Sequence, residues 1–305
     1  MNLRKYEAFA NVVSTGSLTR AAEALGCTQS AVSHMINSLE TELGFRLLIR
    51  NRHGVKLTAD GEKALPAVLA VLDANERLEQ IVQSIHGLDA GVVRIGAFTS
   101  VAVHWLPGVL RNFQADYPNV EIKLLNGDYH DVEQWLMGGE IDIGFVNVPC
   151  ALGCECIALA KDRMLAVLPK DGRYENYSRF PLTECENMPF ISLLESSDHD
   201  ARRALDAAGV KPNVRFYTKD DYAIMAMVEQ GLGMSIMPEL LLRGRQDKLL
   251  TLPLVPDYSR IIGMAIAAGD KAGPATRRFA DYVISFVSED ERLRHKNANT
   301  GNINR

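Results

Sequence analysis

The chain contains no run of ~18 uninterrupted apolar residues, the length a membrane-spanning helix requires, so no membrane role is expected. It also lacks the apolar N-terminal block of an export signal: Arg4, Lys5, Glu7 and Arg20 stand among its first residues, and the expected compartment is the cytoplasm. Cysteine is scarce and odd in number. Cys27, Cys150, Cys154, Cys156 and Cys185 do not suggest a disulfide framework in a chain without an export signal, and free thiols are expected. Gly-x-Ser-x-Gly, His-Glu-x-x-His and Gly-rich phosphate loops are missing as well, so no enzyme activity, metal or cofactor is expected. Low-complexity runs are absent, and 305 residues with 47% hydrophobic content exceed one ordinary core, which suggests two or three folded domains.

Excess positive charge, the usual footprint of a nucleic-acid binder, is missing from the total, which is −5. Its distribution is uneven. Residues 1–65 hold eight Lys or Arg against six Asp or Glu, leaving +2 there and −7 in the remainder. A basic head on an acidic body has the right sign for DNA, and the placement of those charges matters more than their sum.

What is present begins with three amphipathic segments. Tyr6, Phe9, Ala10 and Val13 share a helical stripe that ends at Gly16. Ser17 is placed to cap a second helix with Leu18, Ala21, Ala22 and Leu25 inward, and Gly26 supplies a turn. Thr28 then caps a third, whose apolar face is Val32, Met35, Ile36, Leu39 and Leu43. Its other face carries Gln29, Ser30, Ser33, His34 and Asn37. Two helices joined by a tight Gly turn, the second polar outside, form a helix-turn-helix whose second helix enters the major groove. Two short apolar runs around a basic turn follow, and this hairpin, or wing, sets Arg50, Arg52, His53 and Lys56 where phosphates would lie.

Thr58 caps a long helix expected to reach about Leu88. Its stripe of Leu65, Val68, Leu69, Leu72, Leu78, Ile81, Val82 and Ile85 belongs to neither flanking domain, so a homodimer is expected to bury it; Pro66 inside it costs a hydrogen bond or a kink. From Gly91 strands and helices alternate, which implies mostly parallel sheets in an α/β body of two lobes. The expected division is a winged helix-turn-helix at 1–58, a linker and dimerisation helix at 59–89, and an effector-binding domain at 90–290. Lobe I takes about 90–161 and 266–290, lobe II about 162–265. A polar tail of 291–305 ends the chain, with fraying expected from Ser288.

Over nearly the whole length the sequence resembles the LysR-type transcriptional regulators. In the head the resemblance rests on Phe9, Gly16-Ser17-Leu18, Ala21-Ala22, Gln29 to Ser33, Ile36, Leu39-Glu40, Leu43-Gly44 and Arg50 through Gly54-Val55 to Leu57-Thr58. In the body it rests on Val93 to Ala97, Leu106-Pro107, Phe113, Tyr117-Pro118, Gly139 to Asp142 and Gly231-Leu232-Gly233 to Pro238. It departs from the family pattern at Ala59-Asp60 and at His53. The resemblance implies an all-α N-terminal part with a wing, a linker helix and a two-lobed domain similar to periplasmic binding proteins. It further implies double-stranded DNA, a small effector between the lobes and RNA polymerase as partners, with assembly as a homodimer or homotetramer.

Direct base readout is assigned to Gln29, Ser30, Ser33 and His34, since Gln pairs bidentately with adenine while Ser and His reach base or phosphate oxygens; Asn37 shares their face. Arg50, Arg52 and His53 are assigned to the DNA backbone. For the effector, Thr99 and Ser100 open a helix and suit a polar or anionic group, with Ser196 and Ser197 at the matching place in lobe II. Val146 and Asn147 are expected on the cleft floor, and Asp128, Lys219 and Asp220 add polar contacts. Any one of these Ser or Thr residues is equally well read as a plain helix cap. Cys150, Cys154 and Cys156 fit no common zinc spacing, and a core role is expected over metal or redox sensing. The competing view is a cytoplasmic small-molecule receptor or enzyme whose head serves only oligomerisation.

Overall fold

Three capped helices open the chain: α1 (Leu3–Thr15), α2 (Leu18–Ala24) and α3 (Gln29–Leu43). The computed structural model describes residues 2–51, 54–85, 91–150, 156–194, 200–245, 247–267 and 272–301, and divides into two units, one built on residues 1–88 and one on the residues from 89 onward. In the first unit the caps are those the sequence announces. The Ser17 side chain accepts from the Arg20 amide and Thr28 from the Ala31 amide. Phe9, Val12, Ala21, Val32, Ile36 and Leu39 form the buried centre, and each fully buried side chain of Val, Ile, Leu or Phe size contributes roughly 1.5–3 kcal/mol.

The wing is an antiparallel pair, β1 (Leu48–Asn51) and β2 (Gly54–Leu57), in the register Leu48 to Leu57 and Arg50 to Val55. It is held at both ends by backbone approaches that need glycine. The Gly16 carbonyl accepts from the Val55 amide at 3.2 Å, and a Cβ on Gly54 would come within 2.9 Å of that same oxygen. At the other end, helix α4 (Ala59–Ile85) starts so close to Leu47 that a Cβ on Gly61 would lie 2.2 Å from its carbonyl oxygen. Thr58 caps α4 by accepting from the Gly61 amide. The first half of α4 is not waiting for a second chain: Ala64, Leu65, Val68 and Leu72 pack into the core of the head. Large apolar side chains of α4 are exposed to solvent at Val71, Leu78, Ile81 and Val82. The helix continues through Pro66 to Ile85, while Gly87 and Leu88 lie outside the described residues.

The second unit is built on a sheet ordered β4-β3-β5-β12-β6-β11-β7. Its strands are β3 (Gly91–Ala97), β4 (Val120–Asn126), β5 (Ile143–Asn147), β6 (Cys156–Pro169), β7 (Phe180–Pro181), β11 (Leu249–Val255) and β12 (Ser259–Ile266), with β10 (Ser235–Pro238) added on β6. A parallel pair, β8 (Pro189–Leu193) and β9 (Asn213–Thr218), completes lobe II. The expectation of mostly parallel sheets holds for β3, β4 and β5 and fails at the centre. There β12 runs antiparallel to both β5 and β6, and β10 and β11 run antiparallel to β6. The reason is that β6 carries the chain out of lobe I and β12 brings it back. The outward crossing falls near 163, where β6 exchanges β12 for β10 and β11 as partners. The return falls at 256–258 and not near 265, because Ile262 to Ile266 are already paired with β5.

The helices around this sheet are α5 (Thr99–His104), α6 (Leu106–Asp116), α7 (Tyr129–Gly138), α8 (Asp200–Ala208), α9 (Asp221–Glu229) and α10 (Pro274–Gly301). The helical stretch after β3 is broken at buried Trp105, just before Pro107 in the first turn of α6. Nor does the chain fray at Ser288. Asp290 accepts from the Trp105 indole at 3.2 Å and pairs with Arg243 at 2.7 Å, and Arg294 reaches Glu239 at 3.2 Å, so α10 continues.

Candidate functional site

The outer face of α3 stands clear of its own core. Gln29, Ser30, His34 and Asn37 are exposed and Ser33 is half-buried, while Val32, Ile36 and Leu39 face inward. Arg50 of β1 leans over this face, donating to Ser33 Oγ at 2.8 Å and to Asn37 Oδ1 at 2.9 Å. That couples wing to helix and sets a guanidinium beside the polar row. Beneath lies a buried acid that sequence reading passed over. Glu40 Oε1 accepts from the amides of Leu47 and Leu48 at 2.8 and 3.1 Å, so one carboxylate on α3 fixes the start of the wing.

In the second unit a cavity of about 290 Å³ opens between the lobes. Lobe I supplies Phe98, Thr99 and Ser100 from the start of α5 and Asn126 to Tyr129 from the turn into α7. Lobe II supplies Asp200, Lys219, Asp221 and the strand residues Ser235 to Pro238. Arg260 forms its base. This guanidinium is 5% exposed and donates to Asp162 Oδ2 at 2.8 and 3.0 Å, to Asp200 Oδ2 at 3.2 Å, to the Tyr129 hydroxyl at 2.8 Å and to Ser100 Oγ at 2.6 Å. Tyr129 in turn donates to Asp200 at 2.6 Å, and the Phe98 ring lies 4.9 Å from the guanidinium. Burial works against the Arg260 charge, and the surrounding Tyr129, Asp162 and Asp200 outweigh it, holding its pKa above the ordinary guanidinium value. Burial likewise pushes the Tyr129 phenol well up. One network therefore joins both crossing strands, through Asp162 and Arg260, to a helix of each lobe.

The sequence model described as "Bacterial regulatory helix-turn-helix protein, lysR family" matches residues 3–62, and the "LysR substrate binding domain" matches residues 86–287. The chain belongs to the LysR family. It is therefore a transcriptional regulator with a DNA-binding head and an effector-binding body, and not an enzyme. Among curated LysR relatives, the probable HTH-type transcriptional regulator LrrA of Synechococcus elongatus is 31% identical over 95% of this chain and 98% of its own. The uncharacterized HTH-type transcriptional regulator YvbU of Bacillus subtilis is 30% identical over 92% and 97%. Among solved structures, a full-length OxyR variant from Pseudomonas aeruginosa superposes with a TM-score of 0.76 at 19% identity, covering 94% of each chain. Full-length CbnR complexed with its target DNA gives 0.63 at 21% identity over 93% of this chain and 99% of that one. These two likenesses speak to the fold.

In this LysR regulator the residues expected at the effector site fall into three groups. Thr99, Ser100, Asp128 and Lys219 line the cavity. Asn147 stands just behind it, donating to Asp200 Oδ1 at 3.1 Å. Val146 does not reach it: as the neighbour of Asn147 on β5 it points to the opposite side, into a core with Val132, Leu136, Ile141 and Ala265. Asp220 is spent as the cap of α9, accepting from the amides of Tyr222 and Ala223, and Asp221 takes the cavity position instead. Ser196 and Ser197, with Arg52 and His53 of the wing, lie outside the described residues. Arg260, Asp162, Asp200 and Tyr129 were missed. The available signal was charge on each crossing strand, Lys161-Asp162-Arg163 between the two apolar runs of β6 and Arg260 just ahead of Ile261-Ile262.

The thiols also need correcting. Cys150 and Cys156 are joined in a disulfide, so these two are not the free thiols expected. Cys27 and Cys185 are free, and burial pushes the Cys185 thiol up to about 12. Cys154 lies outside the described residues.

His104, at the end of α5, bonds the Leu241 carbonyl, and its Nε2 is buried with no hydrogen-bond partner among the described residues. Burial, helped by the Arg243 charge, holds its pKa below the usual imidazole value. A folded pKa below the unfolded one contributes stability above pH ~6.5 that is lost as pH falls through the folded value. His104→Gln removes that dependence. The melting midpoint of the wild type, measured against the variant from pH 8 to 5, is expected to decline below about pH 6.5. A difference that stays constant across that range refutes the assignment.

Proposed function

We propose that this regulator reads operator DNA by laying α3 in the major groove, with Gln29, Ser30, Ser33 and His34 on base edges and Asn37 beside them. Arg50 holds the phosphate backbone, joined by Arg52 and His53 of the wing tip. The observation that supports this most directly is the exposed polar face of α3 with Arg50 poised across Ser33 and Asn37. The apolar strip of Val71, Leu78, Ile81 and Val82 on α4 is the seam of the homodimer, two of which make the homotetramer. A small polar effector enters the cavity bounded by Thr99, Ser100, Asp128 and Lys219, with Asn147 behind. Lobe closure about the crossing strands then alters how the assembly bends DNA and meets RNA polymerase in the cytoplasm. An anionic effector, the expectation raised by Thr99 and Ser100, would find Lys219 as its cationic partner, since Arg260 is taken by two carboxylates.

The test is a mobility shift with DNA from the gene's own upstream region and with random duplex. Ser33→Ala together with His34→Ala is expected to weaken operator binding about tenfold or more while leaving random-duplex affinity nearly unchanged, because a good base contact discriminates by about 1–3 kcal/mol. Equal losses on both duplexes would assign these side chains to phosphates. Binding absent even at low salt would favour the receptor reading, since phosphate contacts strengthen steeply as salt falls.

A further inference from the structure

Four carboxylates line the cavity between the lobes, Asp128, Asp131, Asp200 and Asp221, against two cations, Lys219 and Arg260. Three of the four are already occupied. Asp128 and Asp131 cap the start of α7 by accepting from each other's backbone amides at 2.9 and 3.0 Å. Asp200 is bound to Arg260, Tyr129 and Asn147. Asp221 differs: it is half-buried, it lines the cavity together with Thr99 of the opposite lobe, and it makes no ion pair among the described residues. Arg260 cannot supply the missing charge, because its donors are directed to Asp162, Asp200, Tyr129 and Ser100. Part of the remaining wall is apolar, with Phe98, Met164, Phe190, Ile224 and Met237. A half-buried carboxylate facing such a cavity is stabilised by an incoming cation and repels an incoming anion.

We propose that the effector is a small organic amine whose protonated nitrogen pairs with Asp221 beside Thr99, its carbon skeleton resting on the apolar wall. This rests on the cavity being the effector site. Burial pushes the Asp221 carboxyl above the usual carboxylate range despite the Thr99 hydroxyl and the Arg260 charge, as expected of an acid that has no full partner until a ligand arrives. The cavity's size fits a ligand of a few heavy atoms better than a large one.

Three four-carbon probes of like shape and different charge decide it: n-butylamine, n-butyrate and 1-butanol, titrated into the full-length protein with the melting midpoint as readout. Only n-butylamine is expected to raise the midpoint. Asp221→Asn should weaken its binding about tenfold or more, and Lys219→Met should leave it unchanged. The variant is expected to fold, since it removes a desolvated charge, and unliganded melting checks this. Stabilisation by n-butyrate that Lys219→Met abolishes would overturn the amine assignment and leave the effector cavity intact, as would n-butylamine binding that Lys219→Met alters and Asp221→Asn does not weaken. If neither substitution alters the response to any probe, the cavity itself is not the effector site and both readings fall.

Discussion

Arg260→Met is expected to lower the free energy of unfolding of the body by about 3–5 kcal/mol, the range for breaking a buried ion pair from one side. The substitution keeps most of the side-chain volume, so the loss comes from charge. It leaves Asp162 and Asp200, 2% and 7% exposed, facing each other's region with no cation between them. The Tyr129 and Ser100 hydroxyls lose a hydrogen-bonding partner in the same step. Because the pKa of Arg260 is held above the ordinary guanidinium value, its charge and its contribution persist at any pH where the protein would be handled. Raising the pH therefore does not mimic the variant. Both tryptophans, Trp105 and Trp135, belong to the body, so urea unfolding followed by their fluorescence reports the relevant unit. Adding Asp162→Asn and Asp200→Asn to Arg260→Met should restore much of the loss by removing the stranded charges. A loss of less than about 1 kcal/mol in the single variant, the range of an exposed pair, would mean that water reaches the network freely.

Glu40→Ala is the counterpart in the head. It strips the partner from the amides of Leu47 and Leu48 and releases Arg46 from the same carboxylate, at a cost of about 2–4 kcal/mol for buried donors left unsatisfied beside a lost charged acceptor. The damage should be local. Mobility shifts are expected to show DNA binding lost or weakened many-fold, while the tryptophan transition of the body stays where it was. Glu40→Gln, which keeps one acceptor oxygen for those amides, should recover a good part of the binding. Full DNA affinity in Glu40→Ala would show that the wing finds its place without α3.

The head was legible in the sequence because what shapes it is local. Caps at Ser17 and Thr28, turns at Gly16 and Gly26, and the apolar stripe through Val32, Ile36 and Leu39 all act within a few residues of themselves. Alternation placed most strands of the body for the same reason. The cavity was less legible because its centre is not local. Asp162 and Arg260 are 98 residues apart and meet only through the pairing of β6 with β12. Side-chain parity misled at Val146, since one step along β5 separates the cavity side from the core. Asp220 and Asp221 form a similar neighbouring pair, where a cap and a cavity wall are chemically alike in sequence. The continuation past Ser288 has a distant cause, the contacts of Asp290 with Trp105 and Arg243.

Lobe II leaves lobe I on β6 and returns on β12, and the two strands face each other at the doorway, Arg163 opposite Ser259. Topologically the residues between are an inserted cassette whose ends are neighbours. A cassette of that kind is exchangeable: another lobe with ends equally close could be spliced between Arg163 and Ser259 without rethreading the host sheet. New sensing specificities could thus arise by swapping one wall of the cavity while the opposite wall, and everything that touches DNA, is inherited unchanged.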